Sequence, residues 1–306
     1  MATLTNLTTT YAGKVAGGYI RAALLSNESL KGVTVLENVD YKAVVRRLTD
    51  SITFADATCD FTSTGTIALN EKILELKKFQ IHREICKGDL NTSNLLYDWD
   101  AKETQDGVLP VSLTDALIAN ILGGAAAANE TMIWQGLGTP NSYKGFCELI
   151  QDAGDDQNAG SGALTSATIV GAVEDLVDAC PDAVKGSTEK PIIYMSLNAW
   201  EAYMIASAAA GNGWYTYGGP EMPKQYLGYQ IFVCPGLYAD HMLMTQKTNL
   251  YFGTNLLNQW NEVKVLDMSE LDGSDNVRFK CNFFAGAQIG FTTQYRDWET
   301  DRKSVV

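Results

Sequence analysis

From Lys31 to Cys86 the chain is patterned as strand with almost no helical periodicity, and no other stretch restricts its possible folds as much. The pieces are Val33 to Leu36, Tyr41 to Leu48, Thr66 to Ile73 and Phe79 to Ile85, the last with Phe79, Ile81 and Ile85 alternating with polar neighbours. Thr, Ser, Asp and Gly separate them, most densely at Asp60-Phe61-Thr62-Ser63-Thr64-Gly65. A two-stranded excursion with its tip near Thr49 to Gly65 satisfies this pattern. A ribbon of that kind is marginal in water and needs a surface to rest on. It holds no residue set that looks catalytic, so the reading expects an arm lying on another subunit.

The flanking segments read differently. Tyr11 to Leu25 has a weak helical pattern diluted by Gly13, Gly17 and Gly18, each costing up to about 1 kcal/mol relative to Ala. Lys87 to Pro110 is polar connection. The strongest helix follows, opened by the capping-box variant Ser112-Leu113-Thr114-Asp115 and ending near Trp134-Gln135-Gly136. Its apolar stripe is Leu117, Ile118, Ile121, Leu122, Ala125, Ala128, Met132 and Ile133, and the small residues from Gly123 to Ala128 would let another backbone come close. This is the expected structural spine.

After Tyr143 helices and strands alternate. Ser166 to Cys180 is an amphipathic helix stopped by Pro181, and Pro191 to Ser196 is a short buried strand. A helix capped at Asn198, with Glu201 three residues on, carries Trp200, Tyr203 and Met204 inward. Strands are expected near Tyr226 to Cys234, Met242 to Met244 and Leu250 to Gly253, giving a compact α+β middle section. Glu262 to Asp267 and Asn276 to Phe291 form a closing strand pair across the turn at Asp272 to Asp275, packed beside the spine. The fold class is therefore α+β.

Composition narrows the function. The 306 residues are 46% hydrophobic and 19% charged, ordinary for a globular chain, and no apolar run reaches the roughly 20 residues that span a bilayer. Met1 to Thr10 has neither a basic nor an apolar signal region, so no secretory signal and no membrane partner are expected. Six single cysteines, Cys59, Cys86, Cys147, Cys180, Cys234 and Cys281, with only His82 and His241 beside them, argue against zinc and for reduced, buried thiols. A net charge of -13 argues against gripping nucleic acid by phosphate neutralisation. A shell that encloses nucleic acid without sticking to it tolerates that balance.

No catalytic, cofactor or metal site emerges. His82 and His241 lack an accompanying nucleophile motif and read as ordinary strand and turn residues. Asp152-Ala153-Gly154-Asp155-Asp156 has calcium-loop composition without its spacing, and Gly136-Leu137-Gly138 follows a helix, the wrong polarity for a phosphate cradle. Subunit contacts are the candidates that remain. Arg46, Arg47, Lys77 and Lys78 read as exposed arm charges able to pair with a neighbour's acids, against the plainer reading of edge-strand protection. Asp50, Asp56 and Asp60 join them on the arm, and Trp214, Tyr215 and Tyr217 form an aromatic loop suited to packing or subunit contact.

The final residues, Tyr295 to Val306, break with everything before them. Asp-Arg-Lys-Ser-Val-Val matches an in-frame reading of a common sequencing adapter, so this segment is expected to lie outside the fold.

The order of an N-terminal arm, an extended loop, a spine helix, an inserted α+β domain and a closing strand pair resembles the major capsid proteins of tailed bacteriophages. That HK-ninety-seven-like shell fold is shared with encapsulins. Leu4-Thr5-Thr8-Thr9-Tyr11-Ala12-Gly13, Ala57-Thr58-Cys59-Asp60-Phe61-Thr62, Ile133-Trp134-Gln135-Gly136, Leu250-Tyr251-Phe252-Gly253-Thr254 and Glu262-Val263-Lys264-Val265-Leu266-Asp267-Met268 are similar to capsid proteins of phages (Caudoviricetes) infecting Bacteroidetes-type hosts. The resemblance runs to about Gln294. It implies an arm at 1–30, an extended loop with the first peripheral strands at 31–86, a peripheral domain with the spine at 87–148, an axial domain at 149–254 and a peripheral strand return at 255–294.

The resemblance further implies hexamers and pentamers closing an icosahedral virion shell around double-stranded DNA, assembled in the host cytoplasm. Portal, scaffold and decoration proteins are the implied further partners. Some relatives crosslink subunits through Lys and Asn, and Lys42, Lys72, Lys77 and Lys78 lie in the corresponding region. Two other readings stand beside this one: an encapsulin-like compartment shell, and a soluble α+β hydrolase or sugar-binding protein using the Trp214 to Tyr217 loop.

Overall fold

The computed structural model describes residues 9–12, 27–52, 54, 56, 59, 65–86, 111–153, 162–209, 224–255, 262–269, 272–290 and 296–298; for 9–12, 47–52, 65–66, 111–117, 153, 183 and 296–298 it describes the backbone alone. In chain order the elements are β1 (Thr9–Ala12), α1 (Glu28–Lys31), β2 (Thr34–Leu36), β3 (Lys42–Ile52), β4 (Gly65–Glu75), β5 (Lys77–Cys86) and the spine helix α2 (Val111–Gln135). Then come α3 (Phe146–Ala153), α4 (Ile169–Ala179), α5 (Asp182–Lys185), β6 (Ile192–Met195), α6 (Leu197–Ala209), β7 (Gln225–Tyr226) and β8 (Tyr229–Val233). The last are β9 (Met242–Thr245), β10 (Leu250–Thr254), β11 (Glu262–Asp267), β12 (Asn276–Ile289) and β13 (Arg296–Trp298).

Strand β12 organises the larger sheet. Over its length β5 pairs with 276–285, β11 with 277–282 and β10 with 285–289, while β1 adds to β11 and β2 to β10. Val277, Phe279, Cys281, Phe283, Ala285, Ala287 and Ile289 are all buried, the period-2 set that puts one strand face on a core. Ile118, Leu122, Ile133 and Trp134 of the spine complete that core. The spine's buried face also takes in Ala126, Asn129 and Glu130, whereas Ala128, expected in the apolar stripe, is exposed. Two polar residues on the buried face blur the helical signal that the sequence displays.

The smaller sheet runs β13-β9-β6-β8-β7, with β6 parallel to β8 and antiparallel to β9. Its two faces serve different cores. Tyr194 and Leu243 turn toward the spine, while Ile193, Met195, Met242 and Met244 meet Ile169, Val173, Leu176, Trp200 and Tyr203 of helices α4 and α6. Alternation along two short, fully buried strands therefore makes one wall common to both cores.

Four expectations change. Thr9–Ala12 is a strand on β11, not the start of a helix, because the edge of β11 supplies backbone partners to a segment its glycines make a poor helix; 13–26 lie outside the described residues. Helix α6 is capped by Ser196, whose Oγ accepts from the Ala199 N–H at 3.2 Å, two residues before the expected Asn198. Leu250–Thr254 is hydrogen-bonded into the larger sheet and does not belong to the middle section. Arg296–Trp298 of the excluded tail pairs with β9 by backbone, an association that an open strand edge offers to any extended segment.

A buried polar group closes the structure around the spine. Glu130, only 8% exposed, accepts from Ser29 Oγ, and Ser29 Oγ in turn accepts from Trp134 Nε1 at 2.7 Å. Tyr143 donates to Asn129 Oδ1 at 2.9 Å on the same helix turn, and Tyr194 donates to the Gly32 carbonyl at 2.5 Å. Burial raises the Glu130 carboxyl above its usual range, opposed by the hydrogen bond from the Ser29 hydroxyl, while Glu130 Oε2 is buried without a hydrogen-bond partner. The folded chain thus holds this proton more tightly than the unfolded one. The parent should lose stability relative to Glu130→Gln as pH rises from about 4.3, the ordinary glutamate value, through the raised one, and the difference should stay constant above it. Urea denaturation of both chains across that range measures this, and a pH-independent difference contradicts it.

Candidate functional site

The β3–β4 ribbon is paired without interruption from Lys42↔Glu75 to Ile52↔Gly65, and most of its residues whose side chains are described are exposed. Its root is fixed to the body where the larger sheet has no side chains. Gly253 and Gly286 face each other across β10 and β12, and a Cβ on either would collide with the ribbon's root: 2.6 Å from Leu74 Cδ2 at Gly253, 2.5 Å from the Glu75 carbonyl at Gly286. Leu74 and Leu76 fill that bare patch and are buried, joined by Val45 from β3. Gln288 Nε2 donates to the Ile73 carbonyl at 2.7 Å, and Lys77 Nζ donates to the carbonyls of Thr139 and, at 2.9 Å, Ser142 in the loop after the spine.

Alternation then sends the other ribbon face outward. Val44 lies opposite Ile73, Leu48 opposite Leu69 and Asp50 opposite Ile67, with Ile67 70% exposed and Leu69 58%. Val44, Ile73 and Tyr41 are also exposed. Between them sit two cross-strand ion pairs, Lys42–Glu75 at 3.2 Å and Arg46–Glu71 at 2.8 Å, and Tyr41 donates to Glu75 at 2.9 Å. These contacts hold Glu75 below its usual range, first through Tyr41 and then through Lys42. Exposed pairs of this kind are screened by solvent and contribute little to stability. Their effect is to align the strands and leave an aliphatic face without a partner inside the described chain.

The expected contact residues divide accordingly. Arg46 lies on this face but is paired with Glu71, and Lys77 is half-buried and engaged at the spine loop, which corrects its reading as an exposed arm charge. Lys78 and Asp56 are exposed. Arg47 and Asp50 stand in β3 opposite Asn70 and Ile67, with only their backbone described. Asp60, Trp214, Tyr215 and Tyr217 lie outside the described residues. Sequence reasoning missed Val44, Ile67, Leu69 and Ile73. The signal was their common parity, opposite to that of Val45 and Leu74, but parity alone does not say which face is covered.

Nothing in this region resembles a reaction centre. A cavity of about 400 Å³ opens on the sheet beside His82, Arg83, Glu84, Arg278 and Lys280, but Glu84 is engaged by Asn276 at 2.8 Å and Arg278 at 3.4 Å, and no nucleophile lines it. His82 is exposed opposite Lys280, and His241 is buried against the Tyr238 ring at 5.1 Å. Among the described residues no group of His, Cys, Asp and Glu could hold a metal ion, and no helix is long and apolar enough to cross a membrane. Cys147, Cys180, Cys234 and Cys281 are buried, and burial pushes the Cys281 thiol up to about 12.

No protein-family model and no curated protein sequence matches the chain. Solved structures do. The capsid of an empty GTA particle aligns with a TM-score of 0.61 and 15% identity over 90% of both chains. A chain of Mycobacterium phage Cain gives 0.57 and 12% over 90% of both, and the procapsid of satellite phage P4 gives 0.53 and 11% over 94% of this chain and 100% of that one. The chain has the mixed α+β fold of these capsid structures.

Two sets of substitutions test the anchor and the face. Gly286→Ala should cost about 1–3 kcal/mol by pushing the ribbon's root off the sheet, whereas Gly123→Ala, with nothing within 4 Å of the added carbon, should gain up to about 1 kcal/mol. Ile67→Thr with Leu69→Thr should leave the isolated subunit within about 0.5 kcal/mol of the parent. Urea midpoints at constant slope read both.

Proposed function

We propose that this chain is a structural shell protein, the major capsid protein of a tailed phage, and that copies join through the β3–β4 ribbon. One observation carries the reading: a ribbon bolted at its root to the body presents an aliphatic face that the described residues leave uncovered. Branched aliphatic groups exposed together over two paired strands favour burial at about 25 cal/mol per Å². A second copy supplies the missing surface.

In this reading the larger sheet and the spine form the peripheral part of each subunit, and the unit around β6, α4 and α6 forms the axial part. Hexamers and pentamers of the chain close an icosahedral shell around double-stranded DNA, in a phage whose host is of the Bacteroidetes type. Assembly takes place in the host cytoplasm with portal, scaffold and decoration proteins as partners. A head-to-tail contact, ribbon of one copy on the body of the next, generates rings when the rotation closes. Many modest contacts repeated by symmetry then hold the shell, and no reaction is assigned to the chain.

Electron microscopy of the expressed chain, with and without co-expressed scaffold, tests this. Rings or closed shells are expected for the parent. Ile67→Thr with Leu69→Thr, folded as the parent is, should give single subunits. A parent that stays a single subunit under every condition rejects the proposal, and shells loaded with a protein cargo instead of DNA would redirect it to a compartment.

A further inference from the structure

Leu227 and Gly228 alone connect β7 to β8, with Tyr226 paired opposite Tyr229. Both connecting residues have positive φ, 47° at Leu227 and 86° at Gly228. That combination suits the right-handed twist of a two-residue hairpin, and Asn-Gly or Gly-Gly fills it with little strain. A leucine there drives its Cβ toward its own backbone, an outlier for a bulky side chain. The same leucine is 72% exposed. Single exposed leucines on strands and helices are common, but one held in the left-handed region is retained at a cost that no contact among the described residues returns.

The hairpin has no room to relax. Tyr226 donates to Glu174 Oε1 at 3.1 Å and meets the Tyr203 ring edge-on at 6.1 Å. The Ile231 N–H donates to the Lys224 carbonyl at 2.7 Å, and the Ile231 side chain is buried in the core beside α4 and α6. The tip is a rigid, projecting apolar knob.

We propose that Leu227 is a contact residue for a second copy of this chain, seated in an apolar part of its neighbour. The inference rests on the shell reading above and adds a contact remote from the ribbon. Charge selects the occupant. The chain carries a net -13, yet Lys224 through Ala239 contains no acidic residue, and of the α4 acids beside Tyr226 the nearer, Glu174, is engaged by its hydroxyl. Two copies of an acidic chain come together most easily where acids are few or already engaged, and the centres of protein contacts are depleted in charge. A knob already fixed in place also loses little side-chain and backbone freedom when it docks.

Leu227→Asn and Leu227→Gly remove the strain and the knob together, so subunit stability and assembly should move in opposite directions. Leu227→Asn should raise the thermal midpoint of the unassembled subunit by about 2 °C, and Leu227→Gly by less because glycine frees the unfolded chain. Both should raise the concentration needed for assembly about tenfold, read by sedimentation and electron microscopy, the loss expected when a leucine no longer buries its surface. Leu227→Met, which keeps an apolar knob, should assemble like the parent. If the parent assembles and the Asn and Gly variants assemble equally well, or if their midpoints fall, the Leu227 contact is wrong and the shell reading stands. A parent that never assembles overturns both.

Discussion

A carboxylate taken out of water must find donors or give up its charge, and Glu130 finds one in Ser29, far away in the chain, while its Oε2 stays buried without a hydrogen-bond partner. Ser29 comes from the turn of helix before β2, and Gly236, in the loop after β8, lies so close to the Glu130 carbonyl that a Cβ there would collide with it, and its own carbonyl accepts from Gln135 Nε2 at 2.8 Å. Trp134, one helical turn along, shares the same serine hydroxyl. Contacts to this one residue therefore gather the N-terminal entry, the spine and the middle section at a single point. Tyr194 strengthens it, its ring tilted at 50° and 5.7 Å from Trp134 while its hydroxyl reaches the Gly32 carbonyl. The larger core closes around this junction, and the ribbon's course follows from how that core is closed.

The middle section is tied in by shared walls more than by a linker. Strands β6 and β9 give alternate residues to two cores, so neither core can shift without disturbing the other. The ribbon is tied in by an absence. Paired glycines at 253 and 286 leave a bare spot that Leu74 and Leu76 occupy, and Lys77 completes two carbonyls of the spine loop. A body held this firmly at the root presents the ribbon as a fixed surface. That preorganisation favours association, since little freedom remains to be lost on contact.

Charge and apolar exposure divide the assembly problem. Copies carrying -13 each repel at distance, though salt limits the reach to about 8 Å in physiological conditions. Attraction must come at short range, from surfaces that are locally neutral or internally paired. The ribbon face pairs its own charges, Lys42 with Glu75 and Arg46 with Glu71, and shows aliphatic groups between them. The Leu227 hairpin contributes no acid of its own, and its Tyr226 hydroxyl engages Glu174. In the proposed shell, weak contacts of this type, repeated, would let a particle form without trapping misassembled copies.

What the sequence determined alone is the kind and order of the elements. The extended region, the spine, the alternating middle section and the closing strands were legible because periods of 2 and 3.6 are local properties of a chain. Tertiary structure decided what each element faces. It turned Val45 and Leu74 inward and Ile67 and Leu69 outward, took Lys77 from a surface charge to a buttress and moved β10 into the larger sheet. It put Glu130 inside, where the helical stripe pointed to alanine, and placed Leu227 at positive φ with its side chain in the open. Each of these depends on a partner remote in sequence, and a local pattern holds no record of which partner will arrive.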